Sequence, residues 1–216
     1  MSSIAIVDYG MGNLRSVSQA LKHVAADGTR IEITSDRQHI LNADKVVFPG
    51  QGAARDCMRS LKEYDLVDVV LQASEEKPFL GICMGMQVLM QTSAENDGVD
   101  CLGKFSGQVK RFKDAPEIAN SEEKLTFPQM GWNQVFQTTD HPLWHSIDDA
   151  ARFYFVHSYF VSVDDPSLSC GETEYGIRYT SAIAKDSVFA IQCHPEKSAD
   201  DGLQLLKNFT QWDGKA

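Results

Sequence analysis

Apolar positions along this chain fall into short continuous runs separated by amphipathic stretches. Residues 4–8 form the first such run and predict a buried strand. Tyr9-Gly10-Met11-Gly12-Asn13 then turns into a helix over residues 14–25, which keeps Leu14, Val17, Leu21 and Val24 on one face. Runs at 31–34 and 45–48 predict a second and a third strand, with a short helix at 36–41 between them. Segment 54–75 is helical in pattern, carrying Met58, Leu61, Leu66, Val69, Val70 and Leu71. It leads to a strand at 78–82 and a helix at 84–91, built from good helix formers without proline. The order β-α-β-α-β-α-β-α over residues 1–92 predicts an α/β fold, a parallel sheet covered by helices.

The pattern changes after Gly98. Short strands are predicted at 107–112, 131–135, 151–163, 172–179, 181–184 and 188–193, and these suggest a mixed or antiparallel extension of the sheet. Segment 113–124 is polar, acidic and irregular, and reads as an exposed loop. An amphipathic helix over 200–212, with Leu203, Leu205, Leu206 and Phe209, closes the pattern. No repeat, low-complexity segment or linker divides the chain, so the expectation is one domain over residues 1–216.

Composition narrows the function classes. A 43% hydrophobic and 23% charged chain of 216 residues is ordinary for a globular protein with a sizeable core. The net charge of −10 argues against nucleic-acid and anionic-membrane partners. No stretch approaches a membrane span, and residues 1–8 lack the basic and long apolar regions of a signal peptide. Cys57, Cys83, Cys101, Cys170 and Cys193 are odd in number and include no C-x-x-C, so neither a disulfide framework nor a zinc site is expected. A reducing cytoplasm fits, and a singled-out cysteine there points to chemistry.

Gly81-Ile82-Cys83-Met84-Gly85 supplies that cysteine. Strand, Gly-x-Cys-x-Gly and helix make the cysteine form of the nucleophile elbow, in which glycines let strand and helix pass closely. The thiol is then expected at a helix N-terminus, where free N–H groups and the dipole favour the thiolate. The bland alternative is an inert cysteine in a tight β–α turn. Pro49-Gly50-Gln51-Gly52-Ala53-Ala54 follows the third strand, and such a loop can aim N–H groups into a site. Both Gly52 and Cys83 fall at the carboxyl ends of parallel strands, where sites in α/β sheets lie. The Gly10–Gly12 turn superficially resembles a dinucleotide fingerprint, but Ser16 and Val17 stand where its third glycine belongs.

A cysteine nucleophile needs a base, and the base an orienting group. Of six histidines, His194 directly follows the strand at 188–193 and precedes Pro195 and Glu196. Proline favours an extended residue before it, and i and i+2 of an extended segment share a side. Glu196 can therefore reach the His194 ring. The order Cys, His, Glu differs from the nucleophile, acid, histidine order of α/β-hydrolases, so an esterase of that type is disfavoured.

Gly81-Ile82-Cys83-Met84-Gly85-Met86-Gln87 with His194-Pro195-Glu196-Lys197-Ser198 resembles the class I (triad) glutamine amidotransferases. Asp8-Tyr9-Gly10-Met11-Gly12-Asn13, Pro128-Gln129-Met130-Gly131-Trp132-Asn133 and Phe155-Val156-His157-Ser158-Tyr159 resemble, more narrowly, the glutaminase subunits of imidazole glycerol phosphate synthase in histidine biosynthesis. The resemblance covers nearly the whole chain, and Met84 stands where leucine is usual. It implies a flavodoxin-like α/β fold with a central mixed, mostly parallel sheet flanked by helices. It also implies hydrolysis of L-glutamine to glutamate and ammonia, with no cofactor and no metal. Cys83 would form a glutamyl thioester, His194 would move the protons and Glu196 would orient it. Gly50, Gln51, Gly52 and the N–H of Met84 would form an oxyanion hole, either preformed or completed by a peptide rearrangement. Gln87, Ser158 and Tyr159 would hold glutamine. Asn13, Trp132, Tyr154 and Lys197 would face a (βα)8-barrel cyclase subunit, with which the chain would form a heterodimer and to which ammonia would pass. Two other readings stand beside this one: a paralogous glutaminase feeding a different acceptor, as in surface-sugar amidation, and a catalytically silent scaffold subunit.

Overall fold

The computed structural model describes residues 2–120 and 124–215. The first half alternates as the apolar pattern predicts: β1 (Ser3–Val7), α1 (Leu14–Val24), β2 (Arg30–Thr34), α2 (Arg37–Asn42), β3 (Lys45–Gly50), α3 (Ala54–Glu63), α4 (Val67–Glu76), β4 (Phe79–Cys83) and α5 (Met84–Gln87). The remainder adds β5 (Met90–Ser93), β6 (Val99–Asp100), β7 (Phe105–Arg111), α6 (Pro116–Ala119), β8 (Gln129–Gln137), β9 (Ala151–His157), β10 (Tyr159–Val163), β11 (Ser169–Glu174), β12 (Arg178–Lys185), β13 (Val188–Ile191) and α7 (Ala199–Gln211). The sheet runs β2-β1-β3-β4-β13-β12-β10-β7-β5-β6, and its block β2-β1-β3-β4-β13 is parallel throughout. From β12 outward most pairings are antiparallel, which is the mixed extension.

Strand alternation divides the core into two layers. Ala5, Val7, Val46 and Phe48 face α2, α3 and α4 through Ile40, Cys57, Met58, Leu61, Val69 and Val70. Ile4, Ile6, Val47, Leu80 and Ile82 face α1 and α7 through Val17, Leu21, Leu205, Leu206 and Phe209. Helices therefore cover both faces of the parallel block.

Several expectations are corrected. The helical stretch 54–75 is two helices, because Asp65 takes φ 55° and ends α3 in a Schellman-type cap, with Leu66 N–H on Leu61 O at 2.9 Å and Asp65 N–H on Lys62 O at 3.1 Å. The helix at 84–91 stops at Gln87. The carbonyls of Val88, Leu89 and Met90 accept from Leu102, Phe105 and Gly103, and residue 90 enters a strand beside β7. Here distant backbone partners override local helix propensity. The run 151–163 breaks at Ser158 into β9, paired with β8, and β10, paired with β7 and β12. Residues 172–179 turn at Gly176, φ 70°, so they belong to two paired strands, β11 and β12. The loop at 113–124 contains a 3-10 turn, Phe112–Asp114, and the short α6, while its residues 121–123 lie outside the described residues.

Candidate active site

The elbow forms as the glycine spacing predicts. Cys83 ends β4 with φ 55° and ψ −109°, a conformation costly for a non-glycine residue and a mark of a strained functional turn. Two close approaches permit it. A Cβ on Gly85 would lie 1.9 Å from Phe48 O, and one on Gly81 would lie 2.8 Å from the Ala190 Cβ. The helix after the nucleophile has only four residues. It offers free N–H groups but little of the dipole that a long helix would bring.

His194 follows β13, the parallel neighbour of β4, so topology alone brings it beside Cys83. Its Nδ1 lies 2.9 Å from Glu196 Oε1, and the two side chains are only 5% and 1% exposed. Contact with Glu196 is the predicted one, but its backbone is not extended. Pro195–Lys197 is a 3-10 turn, opened by proline at a position that needs no N–H. With Nδ1 on Glu196, Nε2 is the ring nitrogen left to face the Cys83 sulfur. Burial alone pushes the imidazole down, yet hydrogen bonds and charge from Cys83 and Glu196 outweigh it and raise His194 to about 10. A histidine held between a sulfur and a carboxylate is placed to take the cysteine proton, and the imidazolium it becomes is stabilised on both sides.

Two helix-cap residues are diverted to hold this turn. Ser198 occupies the N-cap of α7 but makes no capping bond. Its Oγ donates to His194 O at 2.6 Å and accepts from Tyr154 N at 2.9 Å, while His194 N donates to Tyr154 O at 2.9 Å. Asn13 occupies the N-cap of α1, and its amide reaches Glu196 Oε1 at 3.4 Å instead of capping the helix. An unused cap forgoes about 1 kcal/mol of helix stability.

A cleft of about 270 Å³ opens over Cys83, lined by Gln51, Gly52, Met84, Gln87, Glu95, Ser158, Tyr159, His194 and Lys197 among others. It thus gathers most of the residues expected to bind substrate and oxyanion. Gly50 does not line it. This glycine lies in β3 in register with Cys83, and a Cβ there would meet Tyr9 Oη and Met84 Cβ, each at 2.7 Å. Gln87 Nε2 donates to Gln192 Oε1 at 2.8 Å and to Tyr159 O at 3.2 Å, leaving Gln87 Oε1 buried without a partner. Gln192 Nε2 in turn donates to Cys83 Sγ at 3.7 Å.

Gln192 and Glu95 lie outside the sequence motifs, while Ser198 and His157 fall within them without an assigned role. Glu95 caps the N–H of Ala54 at 2.6 Å, and burial raises its carboxyl. His157 is pushed down to about 4 by burial, so it is neutral. Its Nδ1–H donates to Tyr159 O at 2.7 Å, while Nε2 meets Gln129 and Tyr179. Its place in the Phe155–Tyr159 motif is the signal that could have found it. Among the described residues no group of three His, Cys, Asp or Glu is placed to hold a metal ion, and no helix is long and apolar enough to cross a membrane.

Of the four expected interface residues, Lys197 lines the cleft, and the others are reached from it or from Glu196 by contacts. Trp132 is 47% exposed and meets its cross-strand partner Tyr154 edge-on at 6.3 Å. Lys197 Nζ lies 6.0 Å from the Tyr154 ring centre, and Asn13 touches Glu196. Met130, two residues before Trp132 and on the same strand face, is 64% exposed.

Residues 5–212 match the family model for glutamine amidotransferase class-I. A curated relative from Hydrogenovibrio crunogenus, imidazole glycerol phosphate synthase subunit HisH, is 55% identical over 98% of this chain and 97% of its own. Subunits of the same name from Nitrosococcus oceani and Pseudomonas putida are 53% and 51% identical, covering 99% and 100% of this chain and the same shares of theirs. Among solved structures, PurLQS from Thermotoga maritima aligns with TM-score 0.71 at 17% identity, over 97% of this chain and 98% of that one. A glutamine amidotransferase from the same organism aligns with TM-score 0.58 at 19% identity, over 93% and 78%. With an elbow cysteine, a His–Glu pair and this match over nearly its whole length, the chain belongs to the class-I glutamine amidotransferases.

Proposed function

We propose that the chain is the glutaminase subunit of an imidazole glycerol phosphate synthase. The observation that carries this reading is the adjacency of Cys83 and His194 in one cleft, with Glu196 buried behind His194, in a chain whose relatives at 51–55% identity bear the name of that synthase's subunit. The Cys83 proton passes to His194, giving the imidazolium, and the sulfur attacks the side-chain amide carbon of glutamine. The N–H groups of Gly52 and Met84 stabilise the oxyanion. His194 protonates the amide nitrogen, the C–N bond breaks, ammonia leaves and a glutamyl thioester remains. Water then attacks the thioester, losing its proton to His194, which returns a proton to the sulfur as glutamate departs. Glu196 keeps the imidazole oriented throughout. The free Gln87 oxygen and the Glu95 carboxylate suit the α-ammonium of the substrate, and the Ser158–Tyr159 bend closes that end of the cleft.

The partner is a cyclase subunit, bound as a heterodimer over Asn13, Trp132, Tyr154 and Lys197. It uses the ammonia to form imidazole glycerol phosphate. An exposed tryptophan and methionine beside the cleft support a docking surface there. Nothing in the relatives' names favours a surface-sugar acceptor, and the complete triad disfavours a silent scaffold. The test is glutamate release from glutamine by the chain alone and with the cyclase subunit and its nucleotide ligand. A low rate that rises sharply in the complex is expected. A high rate indifferent to the partner would mean an independent glutaminase.

A further inference from the structure

Cys57 is a buried thiol with no role in the chemistry above. It lies on α3, directly behind the Gln51–Gly52 loop, and is fully buried. Burial pushes it up to about 11, so it is a thiol at neutral pH and retains an S–H to donate. The acceptor is the carbonyl of Gln51, 3.5 Å from the sulfur. Tyr9, two residues past β1, adds a second buried donor. Its hydroxyl donates to Pro49 O at 3.1 Å and lies 3.8 Å from the Cys57 sulfur. The carbonyls on either side of Gly50 are therefore both tied inward.

Direction follows from peptide geometry. The carbonyl of Gln51 and the N–H of Gly52 belong to one trans peptide and point opposite ways. A carbonyl drawn inward by Cys57 turns the Gly52 N–H outward, to the side where Gln51, Gly52 and Cys83 line the cleft. Gly52 has φ +91°, which glycine adopts freely, so local preference does little to hold this peptide. We infer that Cys57 is a positioning residue for glutamine hydrolysis: its S–H anchors the Gln51 carbonyl and thereby presents the Gly52 N–H to the oxyanion formed at Cys83. This inference rests on the glutaminase reading of the site.

The test compares Cys57→Ala, which cannot donate, with Cys57→Ser, which can. Both are assayed in complex with the cyclase subunit for kcat and KM with glutamine, for synthesis from ammonium, and for alkylation of Cys83 by iodoacetamide. Alkylation needs the sulfur and His194 but forms no oxyanion. Cys57→Ala is expected to lose about tenfold in kcat, less than deletion of an oxyanion donor costs. KM, ammonium-dependent synthesis and alkylation rate should be unchanged, and Cys57→Ser should keep at least half of the kcat. If Cys57→Ala loses its cooperative melting transition, Cys57→Val takes its place, being equally unable to donate. An unchanged kcat in the non-donating variant overturns the inference, as does a parallel loss of alkylation or a tenfold loss in Cys57→Ser. A wild-type complex that releases no glutamate overturns the glutaminase reading itself.

Discussion

The side-chain amide of Asn13 donates to Glu196 Oε1 at 3.4 Å, across 183 positions of sequence. The same carboxylate oxygen receives His194 Nδ1 at 2.9 Å. Asn13 therefore links the glycine turn at 10–12 to the carboxylate proposed to aim His194. Whatever docks against that turn acts on a residue one hydrogen bond from Glu196.

Removing the link has a calculable cost. Hydrogen bonds to charged groups contribute about 1.5 kcal/mol, which corresponds to roughly tenfold in rate if the whole bond is felt in the transition state. Asn13→Ala is expected to lower kcat with glutamine by up to that factor and to leave ammonium-dependent synthesis by the complex intact. A steady-state comparison of the two nitrogen sources measures it.

The His194–Glu196 pair sets a pH window. His194 is raised from 6.5 to about 10 in the folded protein. Its contribution to stability is therefore fully present below about 6.5 and is lost as pH rises through about 10. Denaturant midpoints of the wild type should fall across that alkaline range more steeply than those of His194→Gln. Glu196→Gln should bring the imidazole titration down, followed by histidine NMR.

At the elbow the outcome is steric. A methyl at Gly85 would lie 1.9 Å from the Phe48 carbonyl oxygen, backbone that cannot yield cheaply. Gly85→Ala is expected to destabilise by about 3 kcal/mol or more, at the upper end of overpacking costs. Urea midpoints would report it.

Trp132 separates assembly from folding. It is 47% exposed, so Trp132→Ala should move stability by less than about 0.5 kcal/mol. As an interface anchor it should cost about 2 kcal/mol of affinity, roughly thirtyfold, in calorimetric titration against the cyclase subunit. Unchanged affinity would remove Trp132 from the interface.

What the sequence made legible was local. The elbow is written in five consecutive residues, and His194 and Glu196 are two apart, so spacing sufficed to pair them. The β-α alternation to β4 followed from apolar runs bounded by glycine and proline. Misreadings arose where a distant partner decided the outcome. Residues 88–91 have the composition of a helix, yet Met90 joins β7, and Ser158 divides two strands only because β8 and β7 lie in different directions. The roles of Gln192 and Ser198 were illegible for the same reason. Gln192 acts by touching Cys83, 109 positions away, and Ser198 by bracketing His194 against β9.

The central claim is that Cys83 releases ammonia which the partner consumes. The most direct measurement is synthesis by the complex containing Cys83→Ala, with glutamine and with ammonium as nitrogen source. Glutamine-dependent synthesis is expected to fall by about 10³-fold or more, the scale seen when a covalent nucleophile is removed, with the ammonium-dependent rate unchanged. Loss of both rates would make Cys83 a structural residue, and glutamine-dependent synthesis at the wild-type rate would contradict the account outright.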